Sequence, residues 1–362
     1  MQEITEPTLL LDKAKCKDNI DKMLAKAKSR NLIFRPHFKT HQAQTIGKWF
    51  KEKGVTKITV SSLKMANYFA NDGWKDITIA FPVNILQITS LNKLSNKIEL
   101  NLTILSAEVA EFLNKNIEHK TGIFVKIDTG YGRTGLKSTN TKEIDNILKI
   151  IELSGNLVFK GFLAHSGDTY HAKNTDEILQ IHEKSRTELI KLKEEYIHDF
   201  PEIIISLGDT PSCTLSNNFS GIDEIRPGNF VFYDLMQYNL GVCKFSNIAI
   251  AMKCPVVAIH PERNQVIIHG GGVHFSKESI NYKGNTIYGI AAKTKDEKWN
   301  EPNNDILLTS LSQEHGTLTV SNSEIKNISI GDIITIIPIH ACLTANLMKK
   351  YLTFENKEIL HL

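Results

Sequence analysis

The 362-residue chain has no stretch approaching the ~18–20 consecutive apolar residues of a membrane-spanning helix. Its opening, MQEITEPTLLLDKAKCKDN, lacks the basic start and long apolar core of a secretory leader, so the expectation is a cytoplasmic protein. Cysteine is scarce: five residues, an odd number with no CxxC pair, argue against a disulfide framework and for a reducing compartment. An excess of charge of one sign is missing too. The 43 Lys+Arg and 40 Asp+Glu leave a net +3 and are interleaved, so no basic arm predicts a nucleic-acid or membrane-surface partner. Internal repeats and low-complexity segments are absent.

What is present is a globular composition, 41% hydrophobic, with a strong alternation of patterns. Eight β-branched runs stand out: NLIFRP, KITVSS, DITIAFP, KIELNLTIL, GIFVKID, LVFKGFLAH, EIIISL and NFVFYD. Helix-like segments separate most of them; Ile20, Met23, Leu24 and Ala27 share one helical face ahead of the first, and segments 141–153 and 175–198 are also periodic. Strands alternating with helices imply parallel pairing, and eight such units predict a closed (β/α)8 TIM-type barrel. After residue 240 runs such as SNIAIAMKCPVVAIH, GTLTV and DIITIIPIH, punctuated by Gly, Pro and Asn, predict an antiparallel β domain. The expected organisation is a barrel over 8–240 and a β domain over 241–362, with residues 1–7 packing on the latter.

Barrels of this kind carry their chemistry at the C-terminal ends of the strands, and polar clusters sit at four of those ends. RPHFKTHQ crowds Arg35, His37, Lys39 and His41 together, and a lysine among cations is favoured as a neutral, nucleophilic amine able to bond a carbonyl. A solvated surface lysine is an equally simple reading of that stretch alone. IDTGYGR ends in Arg133, and AHSGDTY supplies His165 and Tyr170. SLGDTPS places Thr210 and Ser212 where hydroxyls and backbone N–H groups can gather round an anion, and EIRPGNF adds Gly228 and Asn229. In PIHACLTANL, His340 and Cys342 alternate by two, so on an extended chain both side chains face one way and can share a metal with open coordination positions. A buried free cysteine beside a structural histidine is the plainer alternative. His269, His274 and His315 are further, weaker metal candidates.

In this order, these motifs resemble the fold-type III pyridoxal-phosphate enzymes, in the branch of D-threonine aldolase, D-serine dehydratase and D-threo-3-hydroxyaspartate dehydratase. The similarity runs from EPTLLLD to HACLTANL. RPHFKTH looks like the segment holding the cofactor lysine, which implies Lys39. VKIDTGYGRTG implies Arg133 near the cofactor ring, FLAHSG implies His165 against it, and Tyr170 matches a tyrosine of the dehydratase pocket. GDTPS and RPGNFVFYD resemble the phosphate-binding turns, implying Thr210, Gly228 and Asn229. Arg226 stands where alanine racemases place an arginine on the pyridine nitrogen, but the racemase tyrosine motif has no match here. The His-x-Cys pair, where the branch's aldolases carry His-x-Asp, implies zinc on His340 and Cys342.

The resemblance therefore implies a lyase acting on β-hydroxy-D-amino acids, D-serine dehydratase-like, with pyridoxal phosphate and zinc as cofactors and a homodimer as its assembly. Aldolase-type cleavage to glycine plus an aldehyde is the alternative outcome. An amino-acid racemase on the same fold is the other.

Overall fold

In the computed structural model, which describes residues 3–295 and 298–362, the chain forms two compact units. One comprises Lys22–Lys39 and Ile46–Gly228; the other comprises Met1–Asp21, Thr40–Thr45 and Asn229–Leu362.

The first unit is a parallel barrel. Its eight strands follow the order Ile33–Phe34, Glu224–Ile225, Ile204–Leu207, Leu157–Ala164, Thr121–Ile127, Glu99–Ile104, Asp76–Pro82 and Lys57–Val60. A parallel bridge between His37 and Thr59 ties the two ends of that order together. Phe38 N–H donates to the Thr59 carbonyl at 2.9 Å, and Thr59 N–H to that of Pro36 at 3.0 Å. Seven of the eight expected strands are present. The eighth is corrected: NFVFYD contains a 3-10 turn, Asn229–Val231, and the missing strand is Glu224–Ile225 just before it. Helices Thr141–Glu152 and Thr175–Tyr196 lie where the periodicity places them.

Short barrel strands need help from side chains, and a buried ion network provides it. Arg35 donates through Nε to Glu224 at 2.6 Å and through its terminal nitrogens to Asp76. Asp76 also meets Lys57 and accepts from Asn101 Nδ2 at 3.2 Å. Beside it lies an aromatic core in which the Phe38 ring centroid is 5.0 Å from Phe50, 4.9 Å from Phe69 and 5.0 Å from Trp74.

Among the described residues the second unit is built on a sheet of nine strands, antiparallel but for one pair. Gln265–His269, His315–Val320, Lys298–Leu311, Gly289–Lys295, Ile333–Pro338 and Ile250–His260 pair in turn, and the last returns to the first, so six strands close on themselves. Thr8–Leu11, Lys350–Thr353 and Glu358–Leu360 extend this sheet. Thr8–Leu11 thus pairs with Ile250–Lys253 rather than belonging to the barrel, a larger N-terminal contribution than residues 1–7. Residues 1–2 lie outside the described residues. Among the described residues no helix is long and apolar enough to cross a membrane.

Candidate active site

Lys39 is presented by a turn whose other members are anchored. Arg35 is buried in its ion network, and Phe38, fully buried among aromatic rings, pins the backbone directly before the lysine. His37 N–H donates to the Pro227 carbonyl at 2.8 Å, and the His37 Nδ1 lies 3.4 Å from the Lys39 N–H. Lys39 itself is exposed. One part of the basic cluster is therefore reassigned: Arg35 is committed to Asp76 and Glu224, and His41 belongs to the other unit, where its Nδ1 accepts from Ala43 N–H at 3.1 Å.

The cations that do gather in the barrel unit come from other strand ends. Burial, then the charge of Lys39, of Arg226, of His165 and of Lys126, holds His37 well below its ordinary value. Burial and Lys39 push His165 down to about 3, so its ring is neutral at physiological pH. Lys126, buried in the strand Thr121–Ile127, is lowered to about 8 by burial and then by Arg133 and Arg226. Arg226 is buried, donating through Nε to the Ser206 hydroxyl at 2.6 Å; that hydroxyl in turn donates to Glu224 at 2.6 Å. Glycine is required at 208, because a Cβ there would lie 2.8 Å from the Arg226 Cβ.

The remaining residues of the barrel unit form one connected patch. His165 Nδ1 bonds the Gly208 carbonyl, and its ring lies 6.1 Å from Tyr131 and 6.3 Å from Tyr170. Arg133, exposed, stacks its guanidinium 5.0 Å from the Tyr131 ring centroid. The Thr210 N–H donates to the Tyr170 hydroxyl at 3.2 Å. Thr210 opens the short helix Thr210–Leu215, which Asp209 caps by accepting from Ser212 N–H at 2.6 Å. The Ser212 hydroxyl is buried and faces the Asp209 carboxylate, which burial pushes up to about 6. Buried cations beside a turn that carries hydroxyls and helix-start N–H groups fit an anionic aromatic cofactor with a nearby amine to bond it.

His340 and Cys342 lie in the other unit, and their geometry differs from the expected extended strand. His340 is the N-cap of helix Ala341–Met348, and Cys342 sits in its first turn. The two side chains still meet, through a hydrogen bond. His340 Nδ1 bonds Glu278 Oε2 at 2.6 Å, and the Cys342 sulfur lies 3.3 Å from the Thr40 hydroxyl. Burial pulls His340 down, but Cys342, Glu278 and Asp234 outweigh it and lift the ring to about 11. An imidazole and a sulfur in surroundings that call for positive charge fit a divalent metal of the softer kind. Asn229, expected at the cofactor, spends its Nδ2 on Asp234 at 2.6 Å, and Asp234 also accepts from Ala341 N–H at 2.9 Å.

Sequence reading missed Lys126, Arg35's partners, Asp234 and Glu278. A lysine inside the β-branched run GIFVKID was the one available signal, since a strand buried on both faces has little other use for a charge. Among the described residues, one group of three potential ligands converges within 4.8 Å: His269, His274 and Glu314. There the His274 Nδ1 accepts from the Gly271 N–H at 3.1 Å, so the neutral ring turns a proton rather than a lone pair towards Glu314.

Comparisons with known proteins divide the chain into the same two parts. The alanine racemase N-terminal domain model matches residues 11–235, and the serine dehydratase domain model matches 249–354. The chain is 30% identical to D-serine dehydratase from Dictyostelium discoideum, over 98% of this chain and 95% of that protein. Its fold superimposes on D-threo-3-hydroxyaspartate dehydratase from Delftia sp. HT23 with a TM-score of 0.91 at 24% identity, covering 100% and 98% of the two chains. For D-threonine aldolase from Filomicrobium marinum the TM-score is 0.83 at 18% identity, covering 98% and 94%. The chain belongs to the alanine racemase N-terminal domain family, in the group whose barrel is followed by a serine dehydratase domain.

Proposed function

We propose that this chain is a pyridoxal-phosphate-dependent lyase that converts β-hydroxy-D-amino acids of the D-serine type to a keto acid and ammonia. Pyridoxal phosphate is the cofactor that the family implies, and the observation carrying the reading is the exposed Lys39 amine on a turn pinned by Phe38. D-serine dehydratase from Dictyostelium, related over nearly the whole length, supports the substrate class.

The bound cofactor supplies an electron sink for negative charge that develops at the substrate Cα. In this reading Lys39 holds the cofactor and its Nζ takes the Cα proton. Arg133 and His165 orient the ring, the neutral His165 contributing a flat apolar face. Thr210, Gly228 and Asn229 hold the phosphate, Asn229 through its backbone because its amide nitrogen is engaged with Asp234. Tyr170 completes the pocket from the Thr210 turn. Zinc, held by His340 and Cys342, would supply Lewis acidity toward a hydroxyl leaving group. A metal-free cysteine-to-alanine variant of the structurally similar D-threo-3-hydroxyaspartate dehydratase supports a metal in the reading. Loss of the Cα proton and of the β-hydroxyl eliminates water; a second water then hydrolyses the enamine product to keto acid and ammonia. We propose a homodimer as the assembly.

The test is incubation of purified protein, with zinc or with a chelator, with D-serine, D-threonine and 3-hydroxy-D-aspartate, scoring keto acid, aldehyde and racemised product separately. Keto acid that disappears with chelation supports the proposal. Aldehyde plus glycine as the main products overturn it in favour of an aldolase, and racemisation that survives chelation in favour of a racemase. Unchanged visible absorbance of the bound cofactor in Lys39→Ala would remove Lys39 from its role.

A further inference from the structure

Glu278 meets the one ring nitrogen of His340 that a metal bound at the other would leave over. Its Oε2 lies 2.6 Å from Nδ1, and the two residues are 62 positions apart in the chain. In the metal-bound state a carboxylate at Nδ1 keeps the proton on that nitrogen and turns Nε2 to the metal. Among the described residues, the group of three potential ligands that converges within 4.8 Å does not include Glu278.

The segment that presents Glu278 is built with care. Gly270 N–H donates to the Glu314 carbonyl at 2.9 Å and Gly272 N–H to that of Ser312 at 2.7 Å, laying the start of the segment against a neighbouring hairpin turn. A Cβ at Gly271 would come within 2.2 Å of the Gln313 carbonyl oxygen, so only glycine permits that approach. Phe275 is buried, and its carbonyl accepts from the Thr344 hydroxyl at 3.1 Å, tying the segment to the helix that carries Cys342. Ser276 then adopts φ +71° and ψ 176°, a conformation almost reserved for glycine, and its hydroxyl accepts from the Glu278 N–H at 3.3 Å. A non-glycine residue is held there only where its surroundings over-determine the backbone.

We infer that Glu278 is a positioning residue that sets the tautomer and orientation of the His340 imidazole for metal binding, held in place by the strained turn at Ser276. The inference rests on the reading of His340 and Cys342 as the metal pair. Glu278 acts on the ring and touches neither substrate nor cofactor.

The test measures zinc affinity of chelator-stripped protein by competition with a chromophoric chelator, alongside thermal unfolding without zinc. Glu278→Ala is expected to weaken zinc binding about 10–100-fold with little change in the metal-free unfolding temperature. Glu278→Gln keeps an acceptor for the Nδ1 proton and is expected to restore most of the affinity. Wild-type affinity in Glu278→Ala, with affinity lost in His340→Ala, overturns the role of Glu278 and leaves the metal pair standing. Wild-type affinity in His340→Ala as well overturns the metal pair and the inference with it. A metal-free unfolding temperature that falls sharply in Glu278→Ala and is not restored in Glu278→Gln marks a structural residue and overturns the inference.

Discussion

Arg35 donates through Nε to Glu224 across 2.6 Å, and both side chains are buried inside the barrel unit. The contact joins a strand at one end of the barrel order to its neighbour and continues through Ser206 to Arg226, so one network reaches from Asp76 to the candidate site. Arg35→Met removes the cation that two buried carboxylates share. Truncating one partner of such a network costs about 3–5 kcal/mol, because the charge left behind stays desolvated. Urea unfolding should show a loss of that order; a loss below about 1 kcal/mol would mean that the carboxylates rearrange freely.

Phe38 makes a different demand. Its ring contacts Phe50, Phe69 and Trp74, and a Cβ on Gly47 would lie 3.3 Å from it, so this pocket has no spare volume. Phe38→Ala should cost about 3–5 kcal/mol and, at a temperature where the variant stays folded, weaken cofactor retention by loosening the turn before Lys39. Phe38→Leu, which refills part of the space, should lose less of both. Equal cofactor affinity in all three proteins, read from visible absorbance during dialysis, would separate the aromatic core from the lysine's placement.

Acid should unfold the protein in two stages. Burial pushes both His41 and His165 down to about 3, whereas an unfolded histidine titrates near ~6.5. Between those values the unfolded chain binds more protons than the folded one, so stability rises with pH and is lost as pH falls from about 6.5 toward 3. Asp76 behaves as a depressed carboxylate: burial opposes the shift, but Arg35 and Lys57 prevail, so its contribution is full above about 3.9 and is lost below. Unfolding free energy of the cofactor-free protein against pH tests this, with His165→Gln expected to flatten the upper stage. An unchanged slope in that variant would refute the assignment of His165.

The barrel was legible because its strands are apolar runs between periodic helices, and one failure shows the limit of that rule. NFVFYD has the composition of a strand, yet Phe232 packs its ring 5.4 Å from Tyr351 and gives its carbonyl to Ala249 in the β unit. Buried irregular chain and buried strand carry the same residues. Glu224–Ile225 was passed over for the opposite reason: a two-residue strand bearing a buried glutamate looks polar until Arg35 is placed beside it. Thr8–Leu11 reads as a strand but not as a partner of Ile250–Lys253, since nothing local encodes a pairing across the length of the chain. At the candidate site, residue types and order were readable; Glu278, like the first-turn position of Cys342, became visible only through contacts made by folding.

The metal pair offers a substitution that asks about chemistry rather than about presence. Cys342 lies in the first turn of helix Ala341–Met348, with its sulfur 3.3 Å from the Thr40 hydroxyl and 3.8 Å from Asn229 Nδ2. Cys342→Asp keeps a negative donor at the favourable end of the helix dipole while exchanging a soft sulfur for a hard oxygen. The helix should therefore tolerate the change, and the preference among metals should move. Stripped protein offered zinc and manganese together should take up zinc as wild type and a larger share of manganese as the variant, by metal analysis after gel filtration. A variant that binds both metals in the wild-type ratio would place the sulfur outside the coordination sphere. A variant that binds neither, while unfolding at the wild-type temperature without metal, would show that the short carboxylate cannot reach the position the thiolate fills.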